Sequence, residues 1–217
     1  MRNSVLHITN GDYFNKYFTE KFYANALPFR EAMMDGETDL QIYSASFIKL
    51  RAAELGVSED FYTSKACVCD ALNKEAYDKL CLWFGKDTFC QTNLLTLLAY
   101  LEQISYRGEV VLSYIDDESF AVIERDIFVS LGVYANAYKS VFIQKQVPET
   151  LGVLIPNAFE LYLDYHSPEG ALSRLVKENI NEDEDTLIRI LLENSKEYGL
   201  SDLQAKRLIN AHKKTSF

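Results

Sequence analysis

The feature that most constrains the fold is a strand, a helix and a second strand in succession between residues 79 and 115. Residues 79–84 form an apolar run that stops at a glycine, and residues 89–104 carry leucines at the spacing of one helical face. Residues 110–115 form the second apolar run. Two strands joined by a helix of this length pair in parallel through a right-handed crossover. We therefore predict an α/β fold, with a Rossmann-like, three-layer arrangement around a parallel sheet.

The N-terminal segment has the pattern of another strand, followed by a turn and a helix. Residues 5–8 form a short, mainly apolar run. Asn10 and Gly11 both tolerate positive φ and therefore favour a turn. Asp12 stands where the N-cap of a helix belongs, ahead of aromatic residues that recur every three or four positions. We expect this helix to cover residues 13–23.

Two further elements are predicted before residue 79. Residues 26–29 are short and extended, and Pro28 lacks the N–H group that a central strand needs, so an edge position is expected. A helix is predicted over residues 39–55, because Gly56 suits the position just beyond a helix end.

The segment 145–156 separates regions with different patterns. It contains two prolines and a glycine, and no strand pattern follows it. We expect an α/β domain over residues 1–146 and a small, all-helical C-terminal domain over residues 147–217. Ser167 and Pro168 have the pattern of an N-cap and a first helical residue. Three C-terminal helices are predicted, near 169–179, 183–198 and 202–214.

Charge and composition exclude several classes of partner. The chain has 217 residues and a formal net charge of −10, which disfavours nucleic acid and anionic membranes because both need a positive face. The N-terminus lacks a signal-peptide pattern, and no apolar segment is long enough to span a bilayer. We therefore predict a cytoplasmic protein. Its four cysteines have no framework spacing and are expected to be buried free thiols: Cys67, Cys69, Cys81 and Cys90.

Polar side chains follow each predicted strand. In an open parallel sheet, ligands bind outside the carboxyl ends of the strands, so these side chains converge on one edge if the strands are neighbours. Asp116 and Asp117 follow the strand at 110–115 in this way. Six residues make up the predicted ligand-binding set: Asn10, Gly11, Asp12, Arg30, Asp87 and Gln91.

This set suits a small phosphorylated or nucleotide-like molecule. Backbone N–H groups at Gly11 favour a phosphate, and Arg30 would pair with it. The carboxylates of Asp12 and Asp87 could accept hydrogen bonds from ribose hydroxyls, hold Mg²⁺ or act as a general base. Both aspartates could equally be plain helix N-caps, which strand-to-helix turns recruit in any α/β protein. Neither the dinucleotide fingerprint nor the phosphate loop is present.

Other chemistries have less support in the sequence. The sequence identifies no cofactor, predicts no metal site and leaves enzymatic activity open. The histidines at 7, 166 and 212 form no i, i+4 metal pair. Cys90 stands near a predicted helix start but has no histidine partner, so we expect a buried thiol there and not a nucleophile.

Three segments together resemble an uncharacterised bacterial family, domain of unknown function 1835. Residues 6–12 resemble its opening, Phe29-Arg30-Glu31 resembles its Trp-Arg-acid motif, and residues 82–87 resemble its Leu-Trp-Phe-acid-His-Asp stretch. The similarity spans residues 5–115. It implies a shared domain but no particular activity.

The chain departs from that family's pattern at three positions. Gly85 and Lys86 replace the family's acid-His pair, and Cys90 stands where an aspartate is common. The family-type polar positions that remain are Asn10, Asp12, Arg30, Asp87 and Gln91.

Two hypotheses of function follow. The first is a domain that binds or acts on a small phosphorylated or nucleotide-like molecule at the carboxyl edge of the sheet. The second is a non-enzymatic regulatory or interaction protein, whose C-terminal helices bind a partner or a second copy to form a homo-oligomer. Exposed Tyr and Phe side chains on those helices would favour the second hypothesis.

Overall fold

The fold is built on a five-stranded, mostly parallel sheet. A computed structural model describes residues 4–22 and 26–214. In these residues the strands are β1 (Val5–Asn10), β2 (Ala26–Phe29), β3 (Lys79–Phe84), β4 (Glu109–Ile115) and β5 (Val122–Phe128), in the order β2-β1-β3-β4-β5. The first four strands run parallel, and β5 runs antiparallel to β4. The fold is therefore α/β, as predicted, but its fifth strand was not predicted and makes the sheet mixed.

Helices connect and cover these strands. No helix among the described residues is long and apolar enough to cross a membrane. The helices are α1 (Gly11–Phe22), α2 (Ala45–Leu55), α3 (Glu59–Lys65), α4 (Cys67–Lys74), α5 (Thr88–Gln103), α6 (Tyr134–Tyr138), α7 (Pro156–Tyr165), α8 (Ala171–Glu178), α9 (Glu184–Glu193) and α10 (Asp202–Lys214). A π-helical turn (Lys139–Ile143) follows α6, and a 3-10 turn (Lys196–Tyr198) follows α9.

The strand, helix and strand at 79–115 are confirmed as β3, α5 and β4. The two strands pair in parallel, with Leu82 opposite Leu112. Helix α5 begins at Thr88 because the Asp87 carboxylate accepts a hydrogen bond from Cys90 N at 2.8 Å, which satisfies an N–H group that the helix leaves unpaired. The edge position of β2 is also confirmed, since Pro28 lies in the outermost strand beside β1.

Three predicted helix starts are wrong, those of the helices expected from residues 39, 169 and 13, and a side-chain cap explains the first of them. The helix predicted from residue 39 begins at Ala45, because the Ser44 hydroxyl accepts from Phe47 N. The helix predicted after Ser167 begins at Ala171, following Gly170.

Pro156, expected to mark a linker, is the first residue of α7, where its missing N–H group costs nothing.

The third wrong start is that of α1, which begins at Gly11. Asp12 therefore lies inside the first turn and is not the N-cap. Gly11 has φ of 75°, a left-handed conformation that glycine adopts without strain, and this lets the chain turn directly from strand into helix. The expected last residue of this helix, Tyr23, lies outside the described residues.

Apolar side chains cover both faces of the sheet. On one face, Phe14 and Phe18 of α1 pack against Trp83 and Ile115. On the other face, Leu82 and its neighbours pack in a larger cluster that includes most of α5. Because side chains alternate along a strand, successive residues of β3 serve the two clusters.

The C-terminal helices belong to the larger cluster. Phe159 and Tyr162 of α7 are fully buried, and Leu187 and Ile209 extend the same cluster into α9 and α10. The boundary predicted at residue 147 stays a prediction, because one apolar cluster contains residues from both sides of it.

A buried arginine holds the irregular segment between β2 and α2. Arg51 is fully buried, and its guanidinium donates to the carbonyl oxygens of Ala32 (2.9 Å), Asp35 (2.6 Å) and Glu37 (3.1 Å). Its Nε lies 3.9 Å from the buried carboxylate of Glu31. Backbone carbonyls in a segment without helix or strand need such a donor when they are out of water.

Replacing this arginine tests its role. Arg51→Met leaves the Glu31 carboxylate buried without its cation and three carbonyls without their donor, so the free energy of unfolding should fall by about 3–5 kcal/mol. Urea denaturation measures the change. Arg189→Met, on the exposed face of α9, is the matched control and should change stability by less than about 0.5 kcal/mol. Equal effects at the two positions would contradict the assignment.

Candidate functional site

The order of the strands places a crevice between β1 and β3. From β1 the chain moves outward to β2 on one side, and it returns to build β3 on the other side. The helices that follow these strands, α1 and α5, pack on opposite faces of the sheet. Neither helix therefore covers the gap between the carboxyl ends of β1 and β3, which is where open α/β sheets bind their ligands.

A cleft of about 920 Å³ opens at this point. We call it the switch-point cleft. Its volume is within the range of small-molecule sites. It is lined by the ends of β1, β3 and β4 with the turns that follow them, by the first turns of α1 and α5, by the start of β5, by α7, and by the chain from the end of α9 to the start of α10. The polar lining residues are Asn10, Lys86, Asp87, Asp116, Asp117, Glu118, Asn157, Ser195, Lys196 and Glu197.

Two of the six predicted site residues line the cleft. Asn10 lies at the end of β1, where its Oδ1 accepts from Asn93 Nδ2 (3.0 Å) and its Nδ2 donates to Cys90 Sγ (2.9 Å). Asp87 lies at the end of β3 and caps α5. Asp87 therefore caps α5 and also lines the cleft, so a capping role and a ligand-binding role do not exclude each other.

Three other predicted residues, Gly11, Asp12 and Arg30, are absent from the cleft lining. Asp12 and Arg30 pair with each other. The guanidinium of Arg30 donates to the Asp12 carboxylate, with the shortest N–O distance at 2.7 Å. A further N–H of Arg30 donates to Cys67 Sγ at 3.3 Å. Gly11 begins α1. The hydrogen bond to the Asp12 carboxylate raises the pKa of Arg30, so the cation predicted for a phosphate already has an anionic partner.

Gln91 is fully buried and holds two loops together. Its Nε2 donates to Gly85 O at 2.8 Å, and its Oε1 accepts from Ile155 N at 3.0 Å. Both ends of the amide are therefore used by backbone groups behind the cleft, and Gln91 is absent from the cleft lining.

The sequence missed two residues at the centre of the cleft, Cys90 and Asp117. Donor atoms of Asp87, Cys90 and Asp117 all lie within 4.8 Å of one another. The Cys90 thiol donates to Asp117 Oδ1 at 3.4 Å. Asp117 follows β4 as expected, but the sequence offers no means of choosing it over Asp116. In the structure, Asp116 accepts from Ser119 in its own turn instead.

Two glycines make room for the carboxylates. A methyl group on Gly85 would overlap the Asp117 carboxylate, and one on Gly199 would overlap the Asp87 carboxylate. Gly199 belongs to the C-terminal segment, so that part of the chain packs directly on the acidic pair. Thr88 Oγ1 fixes the same contact by donating to Glu197 O at 3.0 Å.

Crowding of these groups changes their acidity. Asp117 is an exposed residue, but its carboxylate faces the buried Cys90 thiol. Partial removal from water, together with the hydrogen bond to Asp87 and its charge, raises the pKa of Asp117 to about 8. Burial and the charges of the two aspartates raise the pKa of the Cys90 thiol well above its usual range. Near neutral pH Asp117 and Cys90 therefore keep their protons, because no cation among the described residues lies beside them to offset the charge of the ionised forms.

Comparison with protein-family models, curated proteins and solved structures finds no match for this chain. The resemblance to domain of unknown function 1835 therefore stays a prediction. Any function has to be inferred from the chemistry of the cleft itself.

Substitutions at Asp87 separate its two roles. Asp87→Ala removes the cap of α5 and should lower the free energy of unfolding by about 1 kcal/mol. Asp87→Asn keeps a capping oxygen and removes the repulsion with Asp117, so it should cost less than the alanine variant. Urea denaturation at about pH 9, where Asp117 is ionised, measures both.

Asp183 is the matched control, because it caps α9 through Thr186 N and its carboxylate bonds only to that residue among the hydrogen bonds described. Asp183→Asn should destabilise the protein more than Asp87→Asn does. The reverse order would mean that Asp87 and Asp117 do not repel each other.

Proposed function

We propose that this chain binds or acts on a small phosphorylated or nucleotide-like molecule in the switch-point cleft. In this proposal the sheet and its helices form a Rossmann-like, three-layer domain, followed by a small helical C-terminal domain. The observation that carries the proposal is the position of the cleft. It opens at the carboxyl ends of two adjacent parallel strands, and Asn10 and Asp87 from those strands line it.

An exposed aromatic surface at the cleft supports a ligand with a planar ring. Tyr13 lines the cleft with 80% of its surface exposed, and its ring meets that of Phe120 edge-on at 5.2 Å. An exposed ring beside a cleft offers a flat apolar face on which a planar ligand can stack. A nucleobase would stack on Tyr13 while ribose hydroxyls donate to the carboxylates of Asp87 and Asp117.

The charge of the cleft determines where a phosphate would lie. Lys86 and Lys196 are the cations among the lining residues, and each already contacts a carboxylate, Glu124 at 3.9 Å and Glu118 at 3.5 Å. Both ion pairs are exposed and therefore weak. Either lysine could release its carboxylate partner and bind a phosphate instead. A phosphate group would therefore bind at this lysine rim and away from the acidic centre.

The second hypothesis, a regulatory or interaction protein, has less support on the C-terminal helices. Exposed Tyr and Phe side chains in this region would favour it, but Phe159, Tyr162 and Tyr198 are buried. Leu203 is the large apolar side chain that α10 exposes among its described residues, and one leucine is ordinary for a surface.

A thermal-shift screen tests the proposal. Nucleosides, nucleotides and sugar phosphates are added at millimolar concentration, each with and without Mg²⁺. A ligand at 100 times its Kd stabilises the native state by about 2.7 kcal/mol. For a chain of this length, that raises Tm by roughly 5–10 °C.

Two variants locate the binding. Asn157→Trp places a large ring in the cleft from an exposed position and should abolish the shift. Tyr13→Ala removes the aromatic surface and should reduce the shift. Phe61→Ala, at an exposed phenylalanine of α3 outside the cleft, is the matched control and should preserve it.

The proposal fails if no compound raises Tm, or if the shift survives Asn157→Trp unchanged. A dimer in sizing experiments, combined with no shift for any ligand, would favour the interaction protein.

A further inference from the structure

We propose that Asp87, Cys90 and Asp117 bind a divalent transition-metal ion in the switch-point cleft, with Zn²⁺ preferred over Mg²⁺. The inference rests on the proposed function in one respect: the ion occupies the cleft in which the organic ligand would bind. Metal binding itself can be measured without that ligand, so the two proposals can fail separately.

The three donors come from separate segments that the fold brings together. Asp87 ends the turn after β3, Cys90 lies in the first turn of α5, and Asp117 lies in the turn after β4. Their oxygen and sulfur atoms lie within 4.8 Å of one another. Donors around a tetrahedral ion at 2.0–2.3 Å are about 3.3–3.8 Å apart, so small side-chain rotations close the site.

A chain of side-chain amides, outside the donor cluster, directs a hydrogen bond at the sulfur. Asn93 is held by Met33 N, which donates to its Oδ1 at 3.1 Å, and by its own donation to Glu31 O at 2.7 Å. Its Nδ2 also donates to Asn10 Oδ1, which fixes the orientation of the Asn10 amide. The Asn10 Nδ2 then faces Cys90 Sγ, at 2.9 Å.

This orientation makes the sulfur an acceptor. A hydrogen bond donated to sulfur stabilises the thiolate, which is the form of cysteine that binds a metal. Fixed donors of this kind, placed behind a ligand atom, orient and tune metal ligands in proteins. Asn93 sets the direction of the Asn10 amide, so its N–H group stays aimed at the sulfur.

Electrostatics favours a cation at the same place. Once ionised, two carboxylates and a thiolate in contact repel one another, and the nearby lysines do not reach them: Lys86 and Lys196 contact Glu124 and Glu118 instead. A divalent ion takes the place of the protons on these groups and offsets two of their three negative charges at short range. Gly85 and Gly199 leave the carboxylates the space to meet around it.

The donor types select the ion. Mg²⁺ and Ca²⁺ prefer six or more oxygen ligands, whereas a thiolate favours Zn²⁺ and related transition metals. Three protein donors leave the fourth position of a tetrahedral ion open to water or to a ligand. An ion held in this way would be a site of ligand contact, and a hydroxyl oxygen of the ligand in the cleft would take the open position, with the phosphate at the lysine rim.

Cobalt substitution tests the proposal directly. The reduced, metal-free, full-length chain without an affinity tag is titrated with Co²⁺, and the absorption spectrum is recorded. Thiolate coordination gives a charge-transfer band in the near ultraviolet, which should saturate at a single ion per chain. Calorimetry with Zn²⁺ and with Mg²⁺ should show that Zn²⁺ binds about 100-fold more tightly or better.

Variants identify the ligands. Cys90→Ser should abolish the charge-transfer band and weaken Zn²⁺ binding by about 100-fold, and Asp117→Asn should weaken binding by about tenfold or more while keeping the band. Cys81→Ser, at a half-buried cysteine of β3 outside the cleft, is the matched control and should leave the band unchanged. Circular dichroism verifies that each variant is folded.

The proposal is overturned if the wild-type chain gives no charge-transfer band, if the band survives Cys90→Ser, or if Mg²⁺ binds as tightly as Zn²⁺. A nucleotide-induced rise in Tm in the metal-free chain, with no cobalt band, would sink this inference and leave the proposed function standing. A cobalt band that depends on Cys90, with no ligand shift, would do the opposite.

Discussion

The burial of α5 on almost every side is the constraint on which the cleft depends. The polar side chains of a helix without a solvent face need hydrogen-bond partners inside the protein, and these bonds join the helix to the elements around it. Asn93 joins α5 to the end of β1 and to the segment after β2, and Gln91 joins it to Gly85 and to the loop before α7. The first turn of the same helix supplies Cys90. One element thus fixes the relative positions of the parts that surround the cleft.

Charge is distributed around this helix in two different ways. Arg51 and Glu31 are buried together, where the cation serves carbonyl groups of an irregular segment and contributes to the fold. At the carboxyl edge, Asp87 and Asp117 meet without a cation between them. The first arrangement stabilises the chain, whereas the second costs free energy unless a proton or a bound cation reduces the repulsion between the carboxylates. That difference is the physical reason for assigning function to the edge and structure to the buried pair.

Local patterns were sufficient to predict the elements whose signals do not depend on distant residues. The apolar runs of β3 and β4, the capping aspartate of α5 and the proline of edge strand β2 are all visible in short windows. Strand β5 escaped prediction because its charged residues, Glu124 to Asp126, are exposed in an edge strand and mask any alternation. Asp12 was wrongly predicted to be the N-cap because aspartate is a preferred N-cap residue. The local sequence does not show that the helix begins one residue before it, at Gly11.

The sequence by itself determined the α/β class, the central strand-helix-strand unit and the fact that polar residues follow each strand, because these depend on hydrophobic period and capping within a few residues. Only the tertiary structure decided which of those polar residues meet. In the folded chain, Arg30 pairs with Asp12, Gln91 is buried in the core, and Asp117 and Cys90 lie beside Asp87. Arg30 and Asp12 are 18 positions apart, Cys90 and Asp117 are 27 apart, and Gln91 and Ile155 are 64 apart. Such contacts follow from strand order and helix packing, and no local pattern encodes them.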